Sequence, residues 1–230
     1  MKNIELSPRL AEAVKYIRKG SLVADIGTDH AFLPIFLVKN HVSSKVIATD
    51  IVDGPIAIAR KNVSEFGCSE SITIIKSFGL REIGDLFPED VVIFGLGGET
   101  IVSILSECER IRQTGVRLIL QPMTKAEVLR EWLFKNGFRI ENESLVREKS
   151  KIYQIMVACF FGEAIQYDYL DLCLGPVNKK NRTDDCLALV RRLLIENRKK
   201  VNGLRAGNLD FSKYETRIKT LEDYKLNDGN

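Results

Sequence analysis

The stretch 21-SLVADIGTDHAFLP-34 decides how the rest of the chain is read. Its first half, 22-LVADI-26, is apolar without alternation and ends at a glycine, as a strand buried on both faces does. Its second half, from Ala31, has helical character. A strand, a tight turn and a helix in that order form the opening unit of a parallel α/β sheet. Two carboxylates, Asp25 and Asp29, and one histidine, His30, sit at the turn.

The same alternation continues outward from this unit. Before it, Ser7 and Pro8 open a helix whose apolar residues Leu10, Ala13, Val14 and Ile17 recur at helical spacing. After it, short apolar strands are expected at 45–50, 72–76, 91–95 and 116–120, with helices at about 31–39, 54–66, 99–110 and 124–136. Strands separated by helices imply right-handed crossovers. The expected fold is therefore a doubly wound, Rossmann-like α/β sheet, mostly parallel. Beyond Gly137, 138-FRIENESLVREKS-150 and 151-KIYQIMVACFFG-162 read as an antiparallel hairpin at the sheet edge.

The chain then changes character. The segment 174-LGPVNKKNRTDD-185 is rich in breakers and reads as a linker. Leu187, Val190, Leu194, Asn197, Val201 and Leu204 follow at alternating spacings of three and four. Phe211, Tyr214, Ile218 and Leu221 repeat the rhythm after the turn 206-AGNLD-210. This predicts a heptad seam on two antiparallel helices. The expected division is a catalytic domain over 1–162 and a helical hairpin over 163–230. Such a hairpin is marginal in isolation, so it is expected to dock or to pair, leaving a monomer or a weak dimer through these helices.

Composition narrows the function. Of 230 residues, 45% are hydrophobic and 28% charged, which suits a folded chain rather than a disordered one. No apolar run reaches the length of a membrane span, and 1-MKNIELSPRLAEAV-14 has no apolar signal core. A cytoplasmic location follows as an expectation. Five scattered cysteines without a C-x-x-C pair, and two histidines, argue against disulfides and against a metal site. Net charge is only +3, but residues 179–205 hold nine basic against three acidic side chains. That local excess suits a phosphate-rich partner, or simply a solvated helix face.

In an open α/β sheet, ligands sit beyond the carboxyl ends of the strands, near the switch in strand order. The first loop carries Gly27 alone rather than G-x-G-x-x-G, so a dinucleotide pyrophosphate is disfavoured. Asp25 and Asp29 would also repel phosphates. A cationic nucleoside reverses that argument. S-Adenosylmethionine carries a sulfonium and an ammonium, which carboxylates favour. Asp50 closes the second strand, 25 residues after Asp25, where it can accept both ribose hydroxyls.

Several further segments, VADIGTDHAFLP, ATDIVDGPIAIARKN, VIFGLGGETI, LILQPM and LREWLFKNGFRIENESLVREKSKIYQIM, resemble the bacterial TrmK family over about residues 4–160. The resemblance implies an S-adenosylmethionine-dependent methyltransferase acting on N1 of the adenine at tRNA position 22. It implies cofactor contacts from Asp25, Gly27, Asp50, Ile51, Ser77, Phe78 and Gly95. One departure stands out: 76-KSFGL-80 has Phe78 where the family tends to an acid, so adenine would be held by backbone groups and by packing on Ile51 or Phe78.

On that reading Asp29 is the first choice for the catalytic carboxylate, with His30 second. Gly97 and Gly98 would let a flat base approach the backbone, unless they serve only a tight turn. Gln121 would read a base edge. Arg9 would meet the cofactor carboxylate or an RNA phosphate, or be solvated. Arg191, Arg192, Lys199 and Lys200 would grip tRNA. Two other readings stay open: a catalytically weak cofactor- and RNA-binding protein, and a small-molecule methyltransferase.

Overall fold

Four consecutive buried residues make the central strand β1 (Val23–Ile26), and none of them faces water. Such a strand must be paired on both sides and covered on both faces. In the computed structural model, which describes residues 4–85 and 87–226, β1 lies between β2 (Val46–Asp50) and β4 (Asp90–Leu96), parallel to both. The full order is β3-β2-β1-β4-β5-β7-β6, with β3 at Ile72–Lys76 and β5 at Arg117–Pro122. The edge is antiparallel: β6 (Phe138–Glu148) and β7 (Lys151–Phe160) form a hairpin, and β7 pairs with β5. The chain winds outward from β1 to β3, then crosses back to β4. That reversal leaves a crevice at the carboxyl ends of β1 and β4.

Helices α1 (Pro8–Val14), α2 (Phe32–Lys39) and α3 (Asp53–Glu65) bury one face of the sheet. Ala13, Leu33, Ile35, Ala59 and Val63 meet Val23, Val46, Val92 and Ile119 in one apolar cluster. Successive strand residues alternate faces, so Ala24, Ile47, Val91 and Leu118 point the other way. There α4 (Gly98–Ser106) and α5 (Ala126–Lys135) pack against each other. At their junction Gly98 permits a close backbone approach. A Cβ there would lie 2.3 Å from the Lys125 carbonyl oxygen, while the Gly98 N–H donates to the Thr124 carbonyl at 2.8 Å.

Beyond the sheet the chain divides between Ile165 and Gln166. The second unit holds α8 (Asp184–Ala206) and α9 (Ser212–Leu226), the two helices expected from the heptad rhythm. Val190, Leu194, Asn197 and Val201 are buried along α8, and Leu221 along α9. The segment read as a linker is not one. It contains α7 (Pro176–Asn181), preceded by α6 (Tyr169–Cys173). Pro176 stands in the first helical turn, where a missing N–H costs nothing, and Gly175 takes φ +92° just before it. The hairpin is therefore closed by its own short helices. The Tyr224 hydroxyl donates to the Lys179 carbonyl at 2.7 Å, and Arg217 lies 5.0 Å from the Tyr169 ring.

The edge hairpin is fastened to α5 by a buried ion pair. Arg130 of α5 donates to Glu143 of β6 at 2.8 Å and to Gln154 of β7 at 2.9 Å, and the Arg130 and Glu143 side chains are both fully buried. Removing one partner strands the other charge. Arg130→Met should cost about 3–5 kcal/mol in chemical denaturation. Arg130→Met combined with Glu143→Leu should recover most of that loss, and a double variant no better than the single would show that the pair does not act as a unit.

Candidate functional site

A cavity of about 540 Å³ opens over the crevice at the carboxyl ends of β1, β2 and β4. That volume suits a nucleoside-sized ligand. Asp25, Gly27, Asp29, His30, Asp50, Ile51, Ser77, Phe78, Gly95 and Arg9 all line it, so the first loop, the end of β2 and the loop after β3 converge as the strand pattern implied. Gly97, Gly98 and Gln121 are not among its lining residues.

The two strand-end acids differ in environment. Asp25 is 5% exposed, and among the described residues its carboxylate receives one side-chain hydrogen bond, from Thr28 Oγ1 at 2.7 Å. Burial pushes its pKa up to about 6; the Thr28 bond opposes this and the nearby Asp50 charge adds to it. Asp50 is held by backbone instead. Its Oδ2 accepts the Asp29 N–H at 3.3 Å and its Oδ1 the Val52 N–H at 3.0 Å. These bonds fix the carboxylate at the rim beside the exposed side chains of Ile51 and Val52.

The loop between them is strained. Asp29 and Ala31 both take left-handed backbone conformations, at φ +52° and +59°, which cost energy for residues other than glycine. The Asp29 carboxylate is two-thirds exposed and lies 3.4 Å from His30 Nε2. Among the described residues His30 Nδ1 is buried without a hydrogen-bond partner, while the His30 carbonyl accepts from Asn62 at 2.9 Å.

Opposite this loop, Gly95 sits at a β-bulge where the β4–β5 register shifts between Phe94 and Leu96. It has φ +80°, and a Cβ there would meet nothing within 4 Å. Bulges next to active sites re-aim the chain. Gly95 thus opens backbone to the cavity that it lines. The role expected of Gly98 is corrected by its contact with the Lys125 carbonyl, and Gly97 caps α4 against the Thr124 hydroxyl, 3.4 Å from where a Cβ would stand.

The role expected of Gln121 also changes. Its side chain is fully buried, its Nε2 donates to the Pro122 carbonyl at 2.8 Å, and its Oε1 accepts from Arg9 at 2.9 Å. Both ends of the amide are engaged, and the buried side chain does not line the cavity. Arg9 is part-buried in the cavity lining rather than fully solvated. It also donates to Glu148 at 2.8 Å and lies 4.5 Å from the Tyr153 ring. Glu148 and Tyr153 stand on the edge hairpin, 139 and 144 residues away in sequence, where no local pattern could have announced them.

Ser77 is buried and ties the loop after β3 by accepting from Glu82 N–H at 3.3 Å. Phe78 faces the cavity with Arg81 5.3 Å from its ring, and Arg81 in turn pairs with Glu107. Sequence reasoning missed Phe32, Thr100 and Ile104, which also line the cavity. Among the described residues no cluster of His, Cys, Asp or Glu is arranged to hold a metal, and no helix is long and apolar enough to cross a membrane.

In the second unit the expected grip residues Arg191, Arg192, Lys199 and Lys200 are all exposed. Arg192 pairs with Glu196 at 3.5 Å. Among the described residues Arg191, Lys199 and Lys200 have no ion-pair partner. Four other cations of the basic stretch are engaged internally: Lys179 with Asp168 and Asp171, Arg182 with Tyr224, Arg198 with Glu222 and Arg205 with Glu215.

A family described as a methyltransferase domain matches residues 6–156. The chain is 38% identical over 176 residues to the tRNA (adenine(22)-N(1))-methyltransferase of Bacillus subtilis strain 168, covering 76% of this chain and 74% of that one. The chain belongs to the TrmK family. Solved relatives agree over nearly the whole length. The M. capricolum TrmK, in complex with the cofactor product S-adenosylhomocysteine, superposes with a TM-score of 0.83 at 30% identity, covering 96% of this chain and 97% of that one. A putative tRNA (m1A22) methyltransferase of Streptococcus pneumoniae, in complex with S-adenosylmethionine, gives 0.81 at 30% identity over 96% and 100%.

The cavity of this TrmK chain favours a cation. A carboxylate as buried as Asp25 is costly when charged, and a bound cation would relieve it. The raised pKa means that this group's contribution to apo stability is fully present below about pH 4 and is lost as pH rises through 6. A cationic ligand has the opposite sign, since it selects the charged carboxylate. S-Adenosylmethionine affinity should be flat above about pH 7 and fall by up to about tenfold per unit below pH 6. Asp25→Asn should flatten that profile, weaken binding and raise the melting temperature of the ligand-free protein at pH 8. Calorimetry and thermal melting check both arms, and an unchanged profile would remove Asp25 from the cation site.

Proposed function

We propose that this chain transfers a methyl group from S-adenosylmethionine to N1 of an adenine in tRNA, the adenine at position 22 by its likeness to the B. subtilis enzyme. The observation that carries the reading is the coincidence of that likeness with a cavity that brings Asp25, Asp29 and Asp50 to one rim. When bound, S-adenosylmethionine supplies a methyl group made electrophilic by a sulfonium.

The residues divide the work. Asp25 takes the cationic amino acid end, and Asp50, oriented by two backbone N–H groups, takes the ribose hydroxyls. Ile51 and Phe78 flank the adenine of the cofactor, with Ser77 fixing the loop behind them. Gly27 and Gly95 leave backbone open on either side of the reacting atoms. Asp29 is the catalytic carboxylate. It accepts a hydrogen bond from the exocyclic amine of the target adenine and so offsets the positive charge that grows on the base as N1 is alkylated. His30, 3.4 Å away, orients it.

A target adenine must leave its stack to reach this cavity. The phosphate contacts that offset the cost come from α8, where Arg191 and Lys199 recur at four-residue multiples on one face with Lys200 beside them. Arg192 joins them only by releasing Glu196. We take the enzyme to be a cytoplasmic monomer, or a weak dimer through α8 and α9.

Incubation with labelled S-adenosylmethionine and unmodified tRNA, followed by nucleoside analysis, should yield 1-methyladenosine, and its absence would overturn the reading. Asp29→Asn should lower kcat by roughly 100-fold or more while cofactor affinity stays within about twofold, because the lost interaction grows in the transition state. Full activity in that variant would transfer the role elsewhere.

Changing Arg191, Arg192, Lys199 and Lys200 together to Gln tests the phosphate grip. It should weaken tRNA binding most at low salt and reduce the slope of log affinity against log salt by roughly one for each phosphate that the variant no longer neutralises. Parallel, coincident lines for the variant and the wild type would reduce the basic face to a solvated one.

A further inference from the structure

The exposed apolar side chains at the cavity fall into two groups. Ile51 and Val52, 57% and 54% exposed, follow Asp50 at the end of β2. A bound nucleoside covers that end and accounts for them. Phe32 is different. It is 42% exposed, lines the same cavity, and opens α2 directly after the loop of Asp29 and His30 rather than following Asp50.

Nothing in the fold requires Phe32 to be there. The next three residues of α2, Leu33, Pro34 and Ile35, are all buried, so the helix is anchored without it. The chain instead adopts left-handed conformations at Asp29 and at Ala31, immediately before Phe32, and starts the helix from a strained residue. Strain of this kind persists where surrounding structure holds a residue in a required position. On one side the Phe32 ring is backed by the His30 imidazole, with ring centroids 5.7 Å apart and planes tilted by 54°. A half-exposed aromatic, supported from behind and three residues from the catalytic carboxylate, offers a π face to whatever enters beside Asp29.

We propose that Phe32 is the platform on which the flipped target adenine stacks while Asp29 engages its exocyclic amine. This rests on the reading of the chain as a tRNA adenine methyltransferase. A purine taken out of its helix loses stacking on both sides, and an aromatic side chain restores part of it. Stacking fixes the plane of the base and leaves its edge free. The division of labour is therefore between Phe32, which sets where the ring lies, and Asp29, which acts on its edge.

The test uses the full chain, unmodified tRNA and labelled S-adenosylmethionine, with wild type, Phe32→Ala, Phe32→Leu and Phe32→Tyr side by side. Stacking of one base on one ring corresponds to roughly a 5- to 150-fold loss on removal. Phe32→Ala should lose that much in kcat/KM on tRNA, with S-adenosylmethionine affinity by calorimetry within about twofold of wild type. Phe32→Leu keeps apolar bulk without a π face and should lose nearly as much, whereas Phe32→Tyr should stay close to wild type. If Phe32→Ala does not fold, the Leu and Tyr pair carries the same comparison. Activity within twofold of wild type in both Phe32→Ala and Phe32→Leu overturns the platform while leaving the enzyme reading intact. A parallel loss of S-adenosylmethionine affinity also overturns it, by assigning Phe32 to the cofactor. A wild type that methylates no tRNA overturns the enzyme reading itself, and the platform with it.

Discussion

The parallel pairing of β1 on both sides is the constraint from which the rest of the structure follows. Because β2 and β4 flank it in register, the ends of three strands arrive at one edge, and the reversal of winding leaves a crevice there. The same pairing puts Asp25 among buried neighbours, where a lone carboxylate resists ionisation. A rise of its pKa from 3.8 to about 6 corresponds to about 3 kcal/mol of stability given up near neutral pH. A fold tolerates such a cost where the group serves a ligand, and a cationic ligand lowers it.

The N-terminal segment is fastened over this sheet at two points by arginines. At the cavity, Arg9 joins Gln121 of β5 to Glu148 and Tyr153 of the edge hairpin. At the far end, Arg18 donates through its backbone N–H, its Nε and its Nη2 to Asp90, which is fully buried and also accepts from Ser21 Oγ at 2.8 Å. Arg18 further donates to the Glu89 and Gly115 carbonyls. Charge-assisted bonds to a buried carboxylate are among the stronger polar contacts available to a protein. The segment thus closes the sheet face as a fixed cover, and Arg9 braces it from a place in the cavity lining.

The second unit combines an apolar seam with polar stacking. Arg217 lies 5.0 and 5.4 Å from the Tyr169 and Tyr214 rings, and Arg182 lies 4.5 Å from that of Tyr224. These arginines serve packing as much as charge. The net basicity of residues 179–205 therefore overstates what faces a partner. Lys179 and Arg182 hold the unit together, Arg198 and Arg205 tie α8 to α9 through Glu222 and Glu215, and among the described residues of α8 only Arg191, Lys199 and Lys200 carry a positive charge with no ion-pair partner.

By itself the sequence determined the order of strands and helices, because unbroken apolar runs and helical spacings are local signals of burial. It also located Asp25, Asp29 and Asp50, since each closes or follows a strand whose carboxyl end must face the crevice. The long-range partners were beyond its reach. Nothing near Gln121 or Arg9 shows that they bond each other and Glu148, because that depends on the edge hairpin folding back beside β5. Nothing near Gly98 distinguishes a glycine that admits a ligand from one that admits the Lys125 carbonyl. The segment 174–185 looked like a linker because Gly, Pro and Asn are breakers in isolation. Only packing against α8 and α9 gives α6 and α7 somewhere to be buried, and burial rather than propensity stabilises helices that short.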